Sequence, residues 1–318
     1  YGYSNTRNIT YGNRCTAGSM WNNYLPNPHF VESFETATGE KFNWDNYLPG
    51  YSAMKEKERV VFFLRDGLSA AEKERMTAYG ADMSKYLDSG NEARIKKAYE
   101  SRDPRLQMAV ITPYAQYNGA SSGIAHTYTL RWPYRGSDSA EPFDIRTDTN
   151  DKFYYLWRKF VPEGLEQTER DTYGLDIPLI RYAEVLLLKA EALNEWGSTH
   201  ESEAIRCVNE VRRRAGHVEL NNATYPATKV NGQSDLRERI RNEYYWEIGG
   251  EDSMYFHELR WGTWKDKKFD NNRNGLMQMW GETTYTWYWL GDQCWSWPIP
   301  AKEMEMNSNL EQNEGWIN

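Results

Sequence analysis

Ile177-Pro-Leu-Ile-Arg-Tyr-Ala-Glu-Val-Leu-Leu-Leu-Lys-Ala-Glu-Ala-Leu-Asn-Glu-Trp-Gly197, then Glu203-Ala-Ile-Arg-Cys-Val-Asn-Glu-Val-Arg-Arg-Arg-Ala-Gly216, decides the fold. Ala183, Leu186, Leu187, Ala190 and Leu193 recur at helical spacing and make one closely packable apolar face. Pro178 precedes the pattern and cannot break it, and Gly197 stands where a left-handed cap would end the helix. The second run puts Ala204, Ile205, Val208, Val211 and Ala215 on one face and stops at Gly216. Small residues on both faces allow close approach, so the stretch is predicted to be an antiparallel helical hairpin.

The chain has 318 residues, enough for a sizeable core in one large domain or two. Its balance is acidic, 46 Asp and Glu against 38 Lys and Arg, which argues against a phosphate-binding surface. No apolar run approaches the roughly 20 residues of a membrane-spanning helix. Rings are abundant, with 14 Trp, 23 Tyr and 10 Phe. Such residues suit wet binding clefts, and equally fill cores between helices. Cys15, Cys207 and Cys294 have no metal-type spacing and define no disulfide framework, and Cys207 reads as a small packed residue.

Outward from the hairpin, residues 1–175 read as loop-rich. Tyr1 to Pro26 is expected to be irregular. Val60 to Leu64 is a buried strand or helix segment, and Ala70 to Arg75 and Asn91 to Ser101 are helices. Pro104 stops the latter, because the residue before a proline avoids the helical region. Leu106 to Tyr114 is read as a strand, Gly119 to Glu141 as a hairpin or loop, and Phe153 to Phe160 as β-prone. Beyond Gly216, Ser234 is the expected N-cap of a third helix running through Leu236, Ile240 and Tyr244 to Gly249-Gly250. Met254 to Trp264 is read as another short helix, and Pro298-Ile299-Pro300 leads into Ala301 to Met306 and an extended tail.

Motifs for chemistry are sparse. Forty-six acids permit many carboxylate pairs, but no spacing selects one for glycoside cleavage. The five histidines are scattered, and neither a nucleophile elbow nor a phosphate-cradling loop is present. Asp270 to Asn274 offers oxygen ligands suited to calcium, yet lacks a complete loop signature and reads better as a turn. No cofactor or metal is expected. Trp21-Asn22-Asn23-Tyr24 is different in kind: rings that can stack on sugars flank amides that can pair with hydroxyls. The plain alternative is a turn whose Trp plugs a hole in the core.

Several fragments together resemble the C-terminal part of the SusD/RagB family of surface nutrient-binding lipoproteins. They are Arg181-Tyr182-Ala183-Glu184-Val185, Ala190-Glu191-Ala192, Val211-Arg212 with Arg214-Ala215-Gly216, Glu243 with Glu247, Leu259-Arg260-Trp261-Gly262, Pro298-Ile299-Pro300 with Glu303, and Asn307 to Trp316. Fainter echoes are Asn27-Pro28-His29-Phe30-Val31 and Arg102-Asp103-Pro104-Arg105. The resemblance implies a mainly α fold of tetratricopeptide-like helix pairs with long irregular loops and minor β. It implies a single such domain over 1–318, with 1–175 facing ligand and 176–318 supplying the helical core. It also implies a lipidated N-terminal cysteine and further helices ahead of Tyr1, so the chain is expected to be a C-terminal portion.

The function implied by the resemblance is capture of an oligosaccharide without catalysis at the outer-membrane surface, and delivery to a SusC-like TonB-dependent transporter. In that family, ligand contacts come from loops, so the candidates are Trp21, Asn22, Asn23, Tyr24, Trp44 and Tyr47, with Trp132 and Tyr134 as a second patch. Glu184, Glu191, Glu243 and Glu247, near Arg181, Arg212 and Arg241, are expected to tie helices together rather than to catalyse. Gln312 and Asn313 are expected to satisfy backbone groups that lock the tail. A surface glycoside hydrolase is the alternative in another class, and a peptide ligand or a pure docking role is the alternative on the same scaffold.

Overall fold

The structure, a computed structural model, describes residues 6–16, 19–121, 123–135, 140–145, 152–164, 176–269 and 274–316. Residues Asp270 to Arg273 of the calcium-like loop lie outside the described residues. The chain forms two compact units, one of Tyr1–Glu251 with Met277–Glu282 and one of Asp252–Leu276 with Thr283–Asn318.

The first unit runs through α1 (Thr6–Tyr11), α2 (Pro28–Ser33), α3 (Glu56–Arg59), α4 (Ala70–Tyr79), α5 (Asn91–Glu100) and α6 (Pro104–Ala109). Strands β1 (Val110–Ile111), β2 (Gln116–Ser121), β3 (Ile124–Thr129) and β4 (Leu156–Trp157) follow. It closes with α7 (Tyr182–Trp196), α8 (Glu201–Ala215) and α9 (Gln233–Ile248). The fold is mainly helical, as the hairpin pattern predicts.

The predicted hairpin is α7 and α8. Leu186, Leu187, Ala190 and Leu193 are buried on one helix, and Ala204, Ile205, Val208 and Val211 on the other. Gly216 adopts the left-handed cap with φ 73°. Gly197 does not: at φ 136°, ψ 171° it is an extended glycine-only corner, because the chain turns at once into the short 3₁₀ segment Ser198–His200. The third helix starts earlier than expected, with Gly232 rather than Ser234 at the cap. Asp235, in the first turn, reaches back to accept the Asn231 amide at 2.9 Å and so fixes the chain entering the helix.

Two other expectations give way to caps. Asp103 accepts the Arg105 amide at 2.9 Å and Pro104 occupies the first turn, so this Pro begins α6 instead of only ending α5. Leu106 to Ala109 is therefore helix, and only Val110–Ile111 is strand, paired antiparallel with Leu156–Trp157. In the region expected to be irregular, Thr6–Tyr11 is a helix. Gly119 in β2 is forced by close approach, since a Cβ there would lie 2.3 Å from the Cys15 carbonyl oxygen.

Rings fill the core of this unit. Tyr99 and Tyr155 share a hydroxyl contact of 2.7 Å, and Phe34, Phe63 and Trp280 are fully buried around them. The two fainter sequence echoes meet here. Arg102 donates to the Val31 and Phe34 carbonyls at the end of α2, both at 2.8 Å, and lies 3.6 Å from the Phe42 ring centroid. Burial lowers its pKa to about 10.

The charged motifs form a buried network instead of a catalytic cleft. Arg212, wholly inaccessible, pairs with Glu243 at 2.9 Å and Glu35 at 3.1 Å, joining α8 to α9 and to the end of α2. Arg105 binds Asp103 at 2.6 Å and Glu243 at 2.6 Å, and Arg181 binds Glu247 at 2.9 Å and Glu251 at 2.7 Å. The guanidinium carbons of Arg105 and Arg212 both lie over the Trp246 ring, 5.8 and 5.5 Å from its centroid. Pairing of this kind offsets the cost of burying so many charges.

The second unit contains α10 (Ser253–Trp261), α11 (Trp264–Phe269) and α12 (Ala301–Met306). Gln312 locks the tail as expected, accepting from the Ile299 amide at 2.8 Å and donating to its carbonyl at 3.0 Å. Asn313 donates to the Trp297 carbonyl at 2.6 Å. All three cysteines are free thiols.

Candidate functional site

The Trp21–Tyr24 loop is bonded to α1 along its length. The Trp21 amide donates to Ile9 at 2.9 Å, and those of Asn23 and Tyr24 donate to Thr10 at 2.8 and 3.1 Å. Met20, fully buried, anchors the loop from beneath, and Asn22 supplies the φ of 56° that the turn requires. Tyr24 meets Tyr11 edge-on at 6.0 Å, and Tyr11 stacks on Trp157 at 5.4 Å and donates its hydroxyl to Gly250 at 3.1 Å. The loop is therefore fixed by backbone and rings together. Trp21 remains 47 % exposed and Tyr24 60 %, with Asn23 exposed and Asn22 half-buried beside them. Two exposed rings on a pre-organised loop can pack on a sugar while the exposed Asn23 amide reads its hydroxyls.

The other candidates lie elsewhere. Trp44 is 7 % exposed, stacked on Tyr51 at 4.7 Å, with its indole N–H donated to Glu32 at 2.7 Å. Burial pushes the Glu32 carboxyl pKa up, against the opposing pull of that hydrogen bond. Tyr47 is half-buried and stacks on Phe42 at 5.6 Å. Trp132 is 4 % exposed, packed on Phe153 and Trp280, and Tyr134 beside it is half-buried. Trp44 and Trp132 are thus core residues, and a buried ring has no free face for a sugar. Composition cannot separate them from Trp21, because the three indoles differ only in what the fold lays over them.

A cleft of about 1020 Å³ opens between α5, α6 and the β2–β3 hairpin, lined by Glu92, Lys96, Gln107, Thr112, Arg131 and Arg158 among others. That volume is at the upper end for ligand sites, and its lining mixes amides, hydroxyls and charges. The charges are partly satisfied: Arg131 binds Asp144 at 2.9 Å and Glu92 at 3.4 Å, and Arg158 binds Glu163. Tyr114, in the wall, has φ 62° at the third position of a turn closed by the Ala115 amide on Thr112 at 3.0 Å. A bulky residue in that region is strained. No motif in the sequence points to this cleft, and Pro113 is the only local signal of its turn.

A smaller cavity of about 290 Å³ is lined by Arg105, Lys159, Arg181, Arg214, Trp246 and Glu247 among others. Its cations are mostly spent on structure. Lys159 uses all three N–H groups, on the Glu247 and Gly249 carbonyls at 3.0 Å and on Glu251 at 2.6 Å. Among the described residues, no group of three His, Cys, Asp or Glu is arranged to hold a metal, and no helix is long and apolar enough to cross a membrane.

The SusD family model matches residues 1–316. The chain is 32 % identical over 139 residues to the SusD-like protein P38 of Formosa agariphila, a match spanning 43 % of this chain and 24 % of that protein. It is 28 % identical over 161 residues to the starch-binding protein SusD of Bacteroides thetaiotaomicron, spanning 50 % of this chain and 25 % of the relative. A crystal structure of a SusD-like protein from Bacteroides fragilis superposes with a TM-score of 0.57 at 19 % identity, covering 97 % of this chain and 50 % of its own, a likeness of fold. The chain thus spans about half the length of that protein and matches about a quarter of each curated relative. With the hairpin, its ion-pair motifs and the tail lock all in place, the chain belongs to the SusD family.

Proposed function

We propose that this protein captures an oligosaccharide at the outer-membrane surface without chemistry, and passes it to a SusC-like TonB-dependent transporter. The observation that carries the reading is the Trp21–Tyr24 loop: two exposed rings beside the exposed Asn23 amide, held by backbone bonds that require no ordering on binding. Family membership supports a nutrient-binding role, and one relative is a starch-binding protein by name. The non-catalytic reading is supported by the fate of the motif acids. Glu243 and Glu247 are buried in Arg pairs, and a carboxylate so held is poorly placed to donate or accept a substrate proton. Asn23 and Asn22 complete the proposed contact set. Trp44 and Tyr47 enter it only as support for the neighbouring core.

Glycan-array screening followed by calorimetry, with reducing-end analysis of the same samples, tests the proposal. Saturable binding without new reducing ends supports capture. Release of product that is abolished by changing a single Glu or Asp would replace it with the hydrolase reading.

A further inference from the structure

The second unit is built from rings with almost no core. Among its described residues, Met254 alone of the hydrophobic side chains is buried. Tyr255, Trp264, Phe269, Trp289 and Trp295 instead touch in succession, at centroid separations of 4.8, 6.3, 5.2 and 5.3 Å, and all are half-buried. Two lysines of α11 lie on this ladder. Lys265 is 5.4 Å from the Trp289 centroid, and its charge is met by Asp292 at 2.8 Å, which also accepts the Trp289 indole N–H at 3.1 Å.

Lys268 has no such partner. Its ammonium is 3.9 Å from the Trp287 centroid and 5.6 Å from that of Trp264, and among the described residues no carboxylate comes within ion-pair distance of it. Burial pushes its pKa down, with Glu258 opposing from farther away. Ring faces compensate a desolvated ammonium only in part. The surrounding stretch is also cationic: residues 260–273 contain Arg260, Lys265, Lys267, Lys268 and Arg273 against Asp266 and Asp270. In a chain of net charge −8, this is a local inversion of sign.

We infer that Lys268, walled by Trp287 and Trp264, is a subsite for an anionic sugar residue, whose carboxylate or sulfate ester takes the counter-charge position that the protein leaves empty. This rests on the capture reading and adds to it a ligand class, acidic saccharide, and a second point of contact. A neutral glycan would gain nothing from Lys268.

The test is calorimetry on the full chain with four probes: trigalacturonic acid for the carboxylate, a sulfated carrageenan tetrasaccharide for the ester, and maltotetraose and cellotetraose as neutral controls. Lys268→Met removes the charge and keeps the stem, Lys268→Arg restores the charge, and near-UV circular dichroism reports whether the Trp ladder is intact. One acidic probe is expected to bind, with affinity weakened roughly 10-fold in Lys268→Met and largely retained in Lys268→Arg, while binding falls between about 0.05 and 0.5 M salt. Which acidic probe binds distinguishes carboxylate from sulfate. Equal affinity of wild type and Lys268→Met for the acidic probe overturns the inference, as does binding of neutral probes alone, and in both cases capture still stands. Binding of no saccharide overturns both readings. Should Lys268→Met lose its near-UV signal, the salt response of the wild type decides, and a flat response overturns the inference.

Discussion

At the scale of single residues, Trp21 and Trp44 make the sharpest contrast. Both stand in Asn-rich surroundings with rings nearby, yet one is half-exposed and the other packed on Tyr51. Trp21→Ala is expected to weaken glycan binding by about 10-fold, roughly 1.4 kcal/mol, with the melting temperature nearly unchanged. Trp44→Ala is expected to lower stability by roughly 3–5 kcal/mol, because it empties a core position and strips Glu32 of its indole donor. Calorimetric titration and urea unfolding of the two variants measure both effects, and a reversed pattern would place Trp21 in the core. The residue types of a candidate site are legible in the sequence, but their exposure is not. Burial of an indole depends on neighbours such as Tyr51, Phe153 and Trp280 that come from distant parts of the chain.

At the scale of elements, local signals serve best where the physics is local. The α7–α8 hairpin follows from 3.6-residue periodicity and from glycine at φ 73°. A Cβ at Gly216 would meet nothing closer than Pro104 at 3.9 Å, so Gly216→Ala carries only the backbone cost of the left-handed cap. A loss of about 1 kcal/mol is expected in urea unfolding. The start of α6 escapes a local reading because Pro104 is ambiguous by itself: it ends a helix unless the preceding residue caps the next one, as Asp103 does. The ion pairs joining these elements set an acid limit. Burial pushes the carboxyls of Glu35, Asp103 and Glu247 up, but bonds and charge from His217 and Arg212, from Arg105, and from Arg181 outweigh it and hold all three below their ordinary values. Groups with a depressed folded pKa stabilise fully above their unfolded values, about 4.5 for Glu and 3.8 for Asp, and lose that contribution as pH falls through the folded values. Melting temperature is therefore expected to be level from pH 7 to about 5 and to drop below about 4.5. A level profile down to about pH 3 would mean the pairs add nothing.

At the scale of the whole molecule, burial is unevenly shared. The contiguous core from Cys15 to Trp280 belongs to the first unit, as do the buried faces of α7, α8 and α9. The second unit relies on half-buried rings and on the Gln312 and Asn313 tail bonds. Amides of 252–276 and 283–318 are accordingly expected to exchange with solvent faster than those of α7 and α8, by an order of magnitude or more (about 1.4 kcal/mol). Hydrogen–deuterium exchange read by mass spectrometry measures this. Equal protection would mean that the ring ladder holds its unit as firmly as an aliphatic core would.

The amino-acid sequence alone determined the helical hairpin, its end at Gly216, the tail lock and the family, since each rests on short-range periodicity or on residues whose role depends on few neighbours. Tertiary structure alone decided which rings face water, where the cleft beside α5 and α6 opens, and that Lys268 lies against two indoles without a counter-ion among the described residues. Exposure and charge pairing are sums over neighbours far apart in the chain. No local pattern encodes them.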